Sequence, residues 1–261
     1  MTAYEKLKTA RKNGRPIGSD YVDAMISERV ELCGDRRFGE DSAILGGIGL
    51  LGDIPVTYIA LDKGHDLSER MKKNFGCAKP EGYRKALRLM KEAEKFSRPV
   101  VCFVDTLGAF PGADGEERGQ GQAIAESIME MMGLRTPVIS LIIGEGGSGG
   151  ALALASASKV YMLENAVYSV ITPEGCASIL YKDAARVAEA AEALHITAAD
   201  MLEHGAAEEI IPENFENFSA MCADIADHIT EDIRQLSVLS ADEIVQKRYD
   251  RFRRIGVYTE E

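Results

Sequence analysis

Residues 137–157 constrain this chain more than any other stretch, because they join three segments of very different composition. Residues 138–143 are apolar and rich in branched side chains, which predicts a buried strand. Five of the seven residues 144–150 are glycine, and we expect them to end the strand in a turn with positive φ angles. The alanine-rich residues 151–157 favour a helix. A helix that begins at such a turn presents free N–H groups and partial positive charge, so the sequence predicts that this turn stabilises an anion.

This glycine block, residues 144–150, matches three different motifs. A Gly-x-Gly-x-x-Gly pattern that begins at Gly144, with Glu164 further on, is typical of dinucleotide-binding folds. A Gly-x-Ser-x-Gly pattern centred on Ser148 is typical of the nucleophile of serine hydrolases. The third interpretation is an oxyanion hole made of backbone N–H groups, as in enzymes that form thioester enolates.

The first two interpretations fit the rest of the chain poorly. A dinucleotide fingerprint usually opens the first strand–helix–strand unit, whereas this one begins only at residue 144, and Glu145 would place a carboxylate where a pyrophosphate should bind. A serine hydrolase needs a histidine base with an acidic partner. The first two histidines after the serine, His195 and His204, lie in alanine-rich helical sequence with no marked acid. The oxyanion interpretation needs neither a histidine nor a nucleophile.

A second glycine turn follows the preceding strand. Residues 99–105 predict a buried strand, and a glycine-containing turn at residues 106–112 separates it from a helix predicted over residues 120–134. Consecutive strand–turn–helix units of this kind build a parallel sheet, in which both turns lie at the same edge. Two sources of backbone N–H groups can then converge on one ligand atom, as an oxyanion hole requires.

Helices and short strands are predicted to alternate through the rest of the chain. We expect a short helix within residues 1–18, a helix over 20–32 capped by Ser19, a hairpin of strands 43–51 and 54–61, and a helix over 80–96. Beyond the glycine block we expect strands at 159–163, 166–171 and 210–212, helical segments at 173–178 and 183–205, and helices from 215 to about 258 that break near Ser240.

Charge and cysteine content exclude several classes of protein. The formal net charge of −12 argues against general binding of nucleic acid. We expect no membrane-spanning segment and no signal peptide, since no apolar run is long enough for either. The five cysteines are widely spaced, without a Cys-x-x-Cys pair. We therefore expect reduced thiols, a cytoplasmic location and no metal site in this chain.

Nine basic residues are concentrated between Lys63 and Lys91, in a chain that is acidic overall. They could form a solvated helix face or a site for a phosphate or an acidic partner. The candidates for contact with a phosphate or a carrier protein are Arg84, Lys85 and Arg88.

Several longer motifs resemble the alpha subunit of the carboxyltransferase of bacterial acetyl-CoA carboxylase. The resemblance runs from about residue 16 to the C-terminus. The segments that carry it are residues 34–36, 46–49, 74–76, 80–88, 105–112, 116–120, 144–153 and 168–180.

This resemblance implies an α/β fold of the crotonase-like (ClpP/crotonase) type, with repeated ββα units in a spiral core. It implies one carboxyltransferase domain with an N-terminal helical segment (residues 1–42), a core (43–214) and a C-terminal helical extension (215–261). It also implies a subunit that works with a zinc-ribbon beta chain in an α2β2 heterotetramer, alongside a biotin carboxyl carrier protein and biotin carboxylase.

The reaction implied is the transfer of CO2 from carboxybiotin, held on the carrier protein, to acetyl-CoA, which gives malonyl-CoA for fatty acid synthesis. By the same resemblance, the backbone N–H groups of Gly149 and Gly150 stabilise charge on the ureido oxygen of biotin. The other substrate-binding positions would be Gly146, Gly147, Ser148, Gly108, Ala109 and Phe110.

The chain departs from the family pattern at a few positions. Leu107 replaces a usual proline, Phe110 a common tyrosine and Cys33 a common histidine, and residues 60–64 replace a Gly-His-Gln-Lys-Gly pattern. Two of these positions adjoin the expected site. A carboxyltransferase or decarboxylase subunit for another acyl-CoA, or a stand-alone crotonase-type enzyme, is therefore the alternative interpretation.

Overall fold

Eight strands form one mixed sheet in the computed structural model, which describes residues 1–256. The strands are β1 (Ile26–Glu31), β2 (Ile44–Leu51), β3 (Ile54–Leu61), β4 (Val100–Thr106), β5 (Val138–Gly147), β6 (Lys159–Leu163), β7 (Val167–Ser169) and β8 (Glu209–Ile211). Their order across the sheet is β1-β2-β3-β4-β5-β6-β8, and β7 pairs with the end of β5. The strands predicted from the sequence are confirmed, and β1 was not predicted.

The sheet changes from antiparallel to parallel at β3. β1, β2 and β3 pair antiparallel, and the predicted hairpin turns at Gly52, whose φ of +59° suits glycine. β3, β4, β5, β6 and β8 pair parallel. All seven residues of β4 are buried, as expected for a parallel strand with both faces covered. The carboxyl ends of β4 and β5 therefore meet at one edge of the sheet.

Twelve α-helices accompany the sheet within the described residues. They are α1 (Ala3–Ala10), α2 (Gly18–Met25), α3 (Leu67–Lys72), α4 (Pro80–Lys95), α5 (Ala113–Glu117), α6 (Gln120–Gly133), α7 (Ser148–Ala155), α8 (Pro173–Cys176), α9 (Val187–Ala193), α10 (Ala198–Glu203), α11 (Phe218–Ser237) and α12 (Ala241–Arg253). α4 packs against α6, and α7 packs against α6 and β5. None of the helices within residues 1–256 is both long and apolar enough to cross a membrane.

The helix predicted over residues 20–32 is wrong in its second half, and the predicted cap Ser19 is wrong too, since α2 starts at Gly18 with Ile17 as its N-cap. α2 ends at Met25 and the chain continues directly into β1, so the segment predicted as helical over residues 1–42 contains an edge strand. Only Ile26 of β1 is buried, and the other five residues carry no alternating pattern. Pairing with β2 decides the conformation here, against a weak local signal. The domain boundaries at residues 42 and 214 stay a prediction.

Two other helical predictions need correction or fall outside the described residues. The predicted segment 183–205 is interrupted, because His195 adopts a φ of +49° and α10 starts afresh after Thr197. The Thr197 hydroxyl and the Asp200 carboxylate form a capping box at this new start. The break near Ser240 is confirmed, since Ser240 caps α12 with Glu243. The predicted end of that helix, at about residue 258, lies beyond residues 1–256.

A buried arginine joins the C-terminal helix to the core. Arg248 on α12 has no exposed surface. Its Nη1 donates to the carbonyl oxygens of Met131 and Leu134 (3.0 and 2.6 Å), and its Nη2 donates to the carbonyl of Thr136 and the hydroxyl of Ser158 (both 2.9 Å). Burial lowers the pKa of Arg248 to about 10, so it stays charged at neutral pH. Arg248 thus donates to carbonyls in and just after the last turn of α6, where helix carbonyls have no partner within the helix.

Candidate active site

The two predicted glycine turns lie side by side. β4 and β5 are parallel neighbours, and Thr106 pairs with Gly146 near their ends. The Thr106 hydroxyl closes the first turn, since it accepts from the Gly108 N–H (3.0 Å) and donates to the Gly108 carbonyl (2.8 Å). After β5 the chain enters α7 at Ser148. The predicted meeting of both turns at one edge of the sheet is confirmed.

The glycines of the block allow close approach between backbones, and positive φ is not their role. None of the five has a positive φ, and β5 continues to Gly147, so the prediction that the block ends the strand is wrong. The strand continues because β7 pairs with its last three residues. A Cβ on Gly147 would lie 2.1 Å from the Leu107 carbonyl oxygen, and one on Gly150 would lie 2.9 Å from the Ala109 nitrogen.

Ser148 has the positive φ that the glycines lack. Its φ is +52°, and its side chain is exposed at the junction of β5 and α7. A left-handed conformation is uncommon for serine and carries strain. Here it turns the chain abruptly from strand to helix, and the first N–H groups of α7 therefore emerge at the sheet edge.

The N–H groups of Ser148, Gly149 and Gly150 form the first turn of α7. Groups in this position have no partner within the helix, and no side chain caps α7. Gly149 is half-buried, and the atom nearest to a Cβ added there is Ile124 Cγ2, at 3.2 Å. These N–H groups, with the positive end of the helix dipole, suit a negatively charged oxygen.

The predicted wall of the site, Gly108 to Phe110, packs directly on this turn. The carbonyl carbon of Gly108 would lie 2.9 Å from a Cβ on Gly150. The Phe110 N–H donates to the Ala78 carbonyl (3.1 Å), and the Lys79 ammonium lies 4.7 Å from the centre of the Phe110 ring. The structure therefore brings the predicted wall and the predicted donors together, and the role of each residue toward substrate stays a prediction.

A buried ionic cluster beneath the turns was not predicted from the sequence. Lys63 Nζ lies 2.6 Å from Asp105 Oδ1 and 3.4 Å from Glu145 Oε1, and Asp105 Oδ1 also accepts the Glu145 N–H at 2.8 Å. Burial alone lowers the pKa of Lys63, but the two carboxylates raise it above its usual value, so the lysine is charged. The predicted parallel pairing could have placed Asp105 near Glu145, whereas nothing in the sequence placed Lys63 there.

Arg11, just after α1, attaches the N-terminal segment to this cluster. Its guanidinium donates to Glu145 (2.9 Å) and to Glu174 (2.6 Å) at the start of α8. Burial lowers the pKa of Arg11, and the two carboxylates raise it above its usual value. Residues ahead of position 16, where the resemblance was expected to begin, therefore take part in the candidate site.

A cavity of about 460 Å³ opens beside the ionic cluster. It is within the range of small-molecule sites. Leu107, which is 38% exposed, lies in its wall together with Phe75 and Ile17. The charged residues of the lining are five cations and three acids: Arg11, Lys12, Arg15, Lys63, Arg70, Asp105, Glu145 and Glu174.

The basic residues predicted to contact a phosphate or the carrier lie on α4, and they are Arg84, Lys85 and Arg88. They hold the loop of residues 33–41. Arg84 Nε lies 2.8 Å from Asp35 Oδ2, Lys85 is fully buried and donates to the Ile44 carbonyl (2.7 Å), and Arg88 donates to the Gly34 carbonyl (3.1 Å). Arg84 and Arg88 also line a separate cleft of about 450 Å³. Contact with a phosphate or a carrier stays a prediction.

Replacing Asp35 by asparagine should lower stability at pH 7, and the difference should shrink between about pH 5 and pH 2. Asp35 accepts from the N–H groups of residues 37–39 (2.7–2.9 Å) and pairs with Arg84. Against the opposing effect of burial, these contacts lower the pKa of Asp35 to about 2. The folded-state pKa is depressed, so this stabilisation is present at neutral pH and is lost as the pH falls through that value. Thermal unfolding of both proteins across this range measures it.

The exposed Asp224→Asn change is the matched control, and its effect should be small at every pH. A stability difference for Asp35→Asn that stayed constant from pH 7 to pH 2 would contradict the assigned pKa.

Histidines do not support the serine-hydrolase interpretation. Among residues 1–256, no hydrogen bond joins Ser148 to a histidine, and the acidic partners of the histidines lie elsewhere: His65 with Asp20, His195 with Asp200 and His228 with Glu209. The same residues contain no group of three or more His, Cys, Asp or Glu side chains that could hold a metal ion. The Glu145 carboxylate is engaged by cations, which leaves the dinucleotide interpretation equally unsupported.

Comparison with known proteins decides between the interpretations. A family model described as acetyl co-enzyme A carboxylase carboxyltransferase-like matches residues 1–256. The chain belongs to this carboxyltransferase family. The match includes the N-terminal residues, in agreement with the contacts of Arg11 described above. The resemblance predicted from the motifs is confirmed, although it starts earlier than expected.

Two relatives support membership of the carboxyltransferase family over the full length. The acetyl-coenzyme A carboxylase carboxyl transferase subunit alpha of Ruminiclostridium cellulolyticum is 55% identical over 260 residues, which cover 100% of each chain. The protein of the same name from Streptococcus equi subsp. zooepidemicus is 52% identical over 248 residues, 95% of this chain and 97% of that one. The chain is thus a carboxyltransferase subunit, a transferase, as predicted.

Solved structures confirm the crotonase-like α/β fold of this carboxyltransferase subunit. A chain of a Pseudomonas malonate decarboxylase hetero-tetramer, in complex with coenzyme A, superposes with a TM-score of 0.71 at 17% identity and covers 91% of this chain and 97% of that chain. A transcarboxylase 12S chain superposes with a TM-score of 0.70 at 18% identity, covering 89% and 45% respectively. At such identities the likeness concerns the fold.

Replacing Ser148 by glycine should leave carboxyl-transfer activity within about twofold of the original, because the hydroxyl has no base beside it. Glycine adopts the φ of +52° without strain, so the unfolding midpoint should rise by about 2 °C. Steady-state kinetics and thermal unfolding of the same preparation measure both effects. A loss of activity of a hundredfold or more in a folded Ser148→Gly protein would restore the nucleophile interpretation.

Proposed function

We propose that this carboxyltransferase subunit transfers CO2 from carboxybiotin on a carrier protein to acetyl-CoA, and so forms malonyl-CoA. The observation that carries the proposal is the first turn of α7, whose N–H groups have no side-chain cap and which lies against the Gly108–Ala109 wall. The match to the family model over residues 1–256 supports it. A site made of backbone N–H groups can stabilise an oxyanion without a side-chain acid or base.

The chemistry follows from the charge that this turn can hold. When the carboxyl group leaves N1 of carboxybiotin, the bonding electron pair moves onto the ureido group, and the N–H groups of Gly149 and Gly150 stabilise the negative charge on its oxygen. The biotin anion then takes a proton from the methyl group of acetyl-CoA. The resulting enolate attacks the CO2, and a carbon–carbon bond forms. Lys63, Asp105 and Glu145 keep the two turns in register during these steps.

A partner chain is needed to complete the site. We assign the acetyl-CoA thioester to a zinc-ribbon beta subunit and the complex to an α2β2 heterotetramer, supplied by a biotin carboxyl carrier protein and biotin carboxylase. Exposed apolar residues near α8 support an interface: Val170, Ile179 and Leu180 are 76%, 67% and 69% exposed. Their neighbours Ser169 and Ile171 line a small cleft with Gly146 and Gly147. Large apolar side chains exposed to this degree are a common feature of protein interfaces.

A cytoplasmic location is part of the same proposal. All five cysteines are free thiols, and Cys102, Cys176 and Cys222 are buried. Free thiols are typical of reducing compartments such as the cytoplasm. Acetyl-CoA and a biotin carrier would be present in the same compartment.

The decisive experiment is malonyl-CoA decarboxylation with biocytin as the acceptor, which is the reverse half-reaction. It is run with this chain alone, with a beta-type partner alone and with the mixture. Activity only in the mixture supports a site shared between two subunits. Activity of this chain alone would contradict the proposal and indicate a self-contained crotonase-type enzyme. A stable complex without activity would indicate another substrate or a scaffold.

Another acyl-CoA is the second candidate substrate, and the exposure of Leu107 favours it. Leu107 stands where the family usually has proline, and it lines the 460 Å³ cavity. Rates of the mixture with malonyl-CoA and with methylmalonyl-CoA discriminate the two. A higher kcat/KM for methylmalonyl-CoA than for malonyl-CoA would indicate that the acceptor is another acyl-CoA and not acetyl-CoA.

A further inference from the structure

Residues 74–76 form a strained turn next to the candidate site. Asn74, Phe75 and Gly76 have φ angles of +48°, +55° and +80°. Asparagine and glycine tolerate this region, whereas a bulky residue such as phenylalanine rarely adopts it. Strained residues of this kind cluster at functional sites, where the surrounding structure holds them in place.

The surroundings of this turn fix its position relative to the ionic cluster. A Cβ on Gly76 would lie 2.8 Å from Lys63 Cγ and 2.9 Å from the Asp105 carbonyl oxygen. Hydrogen bonds of 2.9 Å run from the Gly76 N–H to the Lys73 carbonyl and from the Cys77 N–H to the Asn74 carbonyl. The turn is therefore seated on the end of β4, immediately before the Thr106–Gly108 turn of the site.

The Phe75 side chain gains little stability from its position. It is 45% exposed, so much of its ring is not buried in the core. It faces the 460 Å³ cavity, whose lining also includes Leu107 and Glu145 from the two turns of the site. A strained backbone and an exposed aromatic ring both cost free energy in the unliganded protein. A ligand that packs on the ring would account for both.

The charges of the cavity indicate what kind of ligand it takes. Arg70 lies in its wall, donates to the Gly64 carbonyl (3.1 Å) and to Asn13 Oδ1 (3.0 Å), and has no ion-pair partner among residues 1–256. Lys12 lies in the same wall. A ligand with an apolar ring and one anionic group would place its ring on Phe75 and Leu107 and its charge toward the two cations.

We propose that Phe75 is a substrate-binding residue whose ring packs against the fused ring system of carboxybiotin, with Arg70 facing the transferable carboxylate. The inference rests on the proposed function, and it adds the residues that recognise the biotin end of the substrate. Carboxybiotin fits the description because its ring faces are apolar and its N1-carboxylate is an anion. Leu107 lines this cavity, and its carbonyl oxygen packs against Gly147, two residues before the proposed N–H donor Gly149.

The test is the Phe75→Gly variant in complex with the beta-type partner, assayed by malonyl-CoA decarboxylation with biocytin. We expect kcat/KM for biocytin to fall about tenfold, because one apolar wall is lost, while KM for malonyl-CoA stays within twofold. The unfolding midpoint should rise by about 2 °C, since glycine relieves the positive φ. Phe75→Tyr keeps the ring and should restore kcat/KM for biocytin to within about twofold of the original protein.

Ser97→Gly is the matched control, because Ser97 also has a positive φ (+52°) and is exposed, but lies at the end of α4. The Ser97→Gly change should raise the unfolding midpoint without changing kcat/KM for biocytin or KM for malonyl-CoA. A Phe75→Gly protein with unchanged kcat/KM for biocytin, a raised KM for malonyl-CoA, or a lowered midpoint would overturn the inference. Failure of the unmodified complex to use biocytin at all would overturn the proposed function, and this inference with it.

Discussion

Replacing Gly149 by alanine should lower the rate of carboxyl transfer by about a hundredfold and leave the protein folded. The added methyl group would sit on the residue that supplies one of the two proposed N–H donors and would narrow the space around it. Keeping the charged oxygen from one such donor should cost about as much as losing it, a factor of about 10²–10³. Folding should survive, because the atom nearest to the new Cβ is a methyl carbon of Ile124 at 3.2 Å. The measurement is kcat/KM of the complex with biocytin and malonyl-CoA, together with the unfolding midpoint.

A matched control exists on the adjacent helix α6. Gly121→Ala makes the same chemical change where no atom lies within 4 Å of the new Cβ, so its activity should be unchanged and its stability equal or slightly higher. Gly150→Ala is less informative, since its Cβ would lie 2.7 Å from the Tyr83 hydroxyl and 2.9 Å from the Ala109 nitrogen. Full activity in a folded Gly149→Ala protein would show that these N–H groups do not hold the oxyanion.

Replacing Arg248 by methionine should destabilise the protein by about 3–5 kcal/mol, because it removes a charged donor from several buried acceptors. The carbonyls of Leu134 and Thr136 would remain buried without their donor, and the Met131 carbonyl would keep only the Leu134 N–H at 3.4 Å. Each unsatisfied group costs about 1–3 kcal/mol. The thermal midpoint should fall by about 10 °C. Denaturant and thermal unfolding measure both quantities.

Two further variants test whether the loss of stability comes from the contacts of the Arg248 guanidinium. Arg253→Met, exposed on the same helix, should change the free energy of unfolding by no more than about 0.5 kcal/mol. Arg248→Lys should lie between the two, because a single ammonium cannot reach the acceptors of both Nη1 and Nη2. If Arg248→Met lost less than about 1 kcal/mol, water would be replacing the guanidinium, and α12 would not depend on this clamp.

In the proposed site, the ionic cluster and the backbone donors would have separate roles. The N–H groups of Gly149 and Gly150 are aimed by the left-handed Ser148. Lys63 joins the ends of β4 and β5 through Asp105 and Glu145. Because the proposed donors are main-chain groups, their positions depend on the register of the β4–β5 ladder, and the Lys63 ion pairs tie the ends of those two strands together. This arrangement explains why a site without a histidine base beside its turns can still be well organised.

The strands and turns were predictable because their signals are local. Apolar runs bounded by proline and glycine predicted β4 and β5, and the order strand, turn, helix predicted that the Thr106–Gly108 turn and the glycine block share one edge. The long motifs predicted the carboxyltransferase family, which the full-length match confirms. That this turn suits an anion could be predicted because a helix start exposes N–H groups whatever surrounds it, whereas Gly149 and Gly150 were singled out by the resemblance to the family.

Only the tertiary structure shows which physical requirement each residue of the candidate site meets. Whether a glycine serves positive φ or close contact depends on its neighbours: the block has no positive φ, and Gly147 is glycine because the Leu107 carbonyl lies where a Cβ would be. β1 is a strand only because β2 pairs with it. Lys63, Arg11 and Phe75 come from segments that are 30 to 134 residues distant in sequence from Asp105 and Glu145. Local periodicity carries no information about such contacts, since they form only when the chain is folded around the sheet.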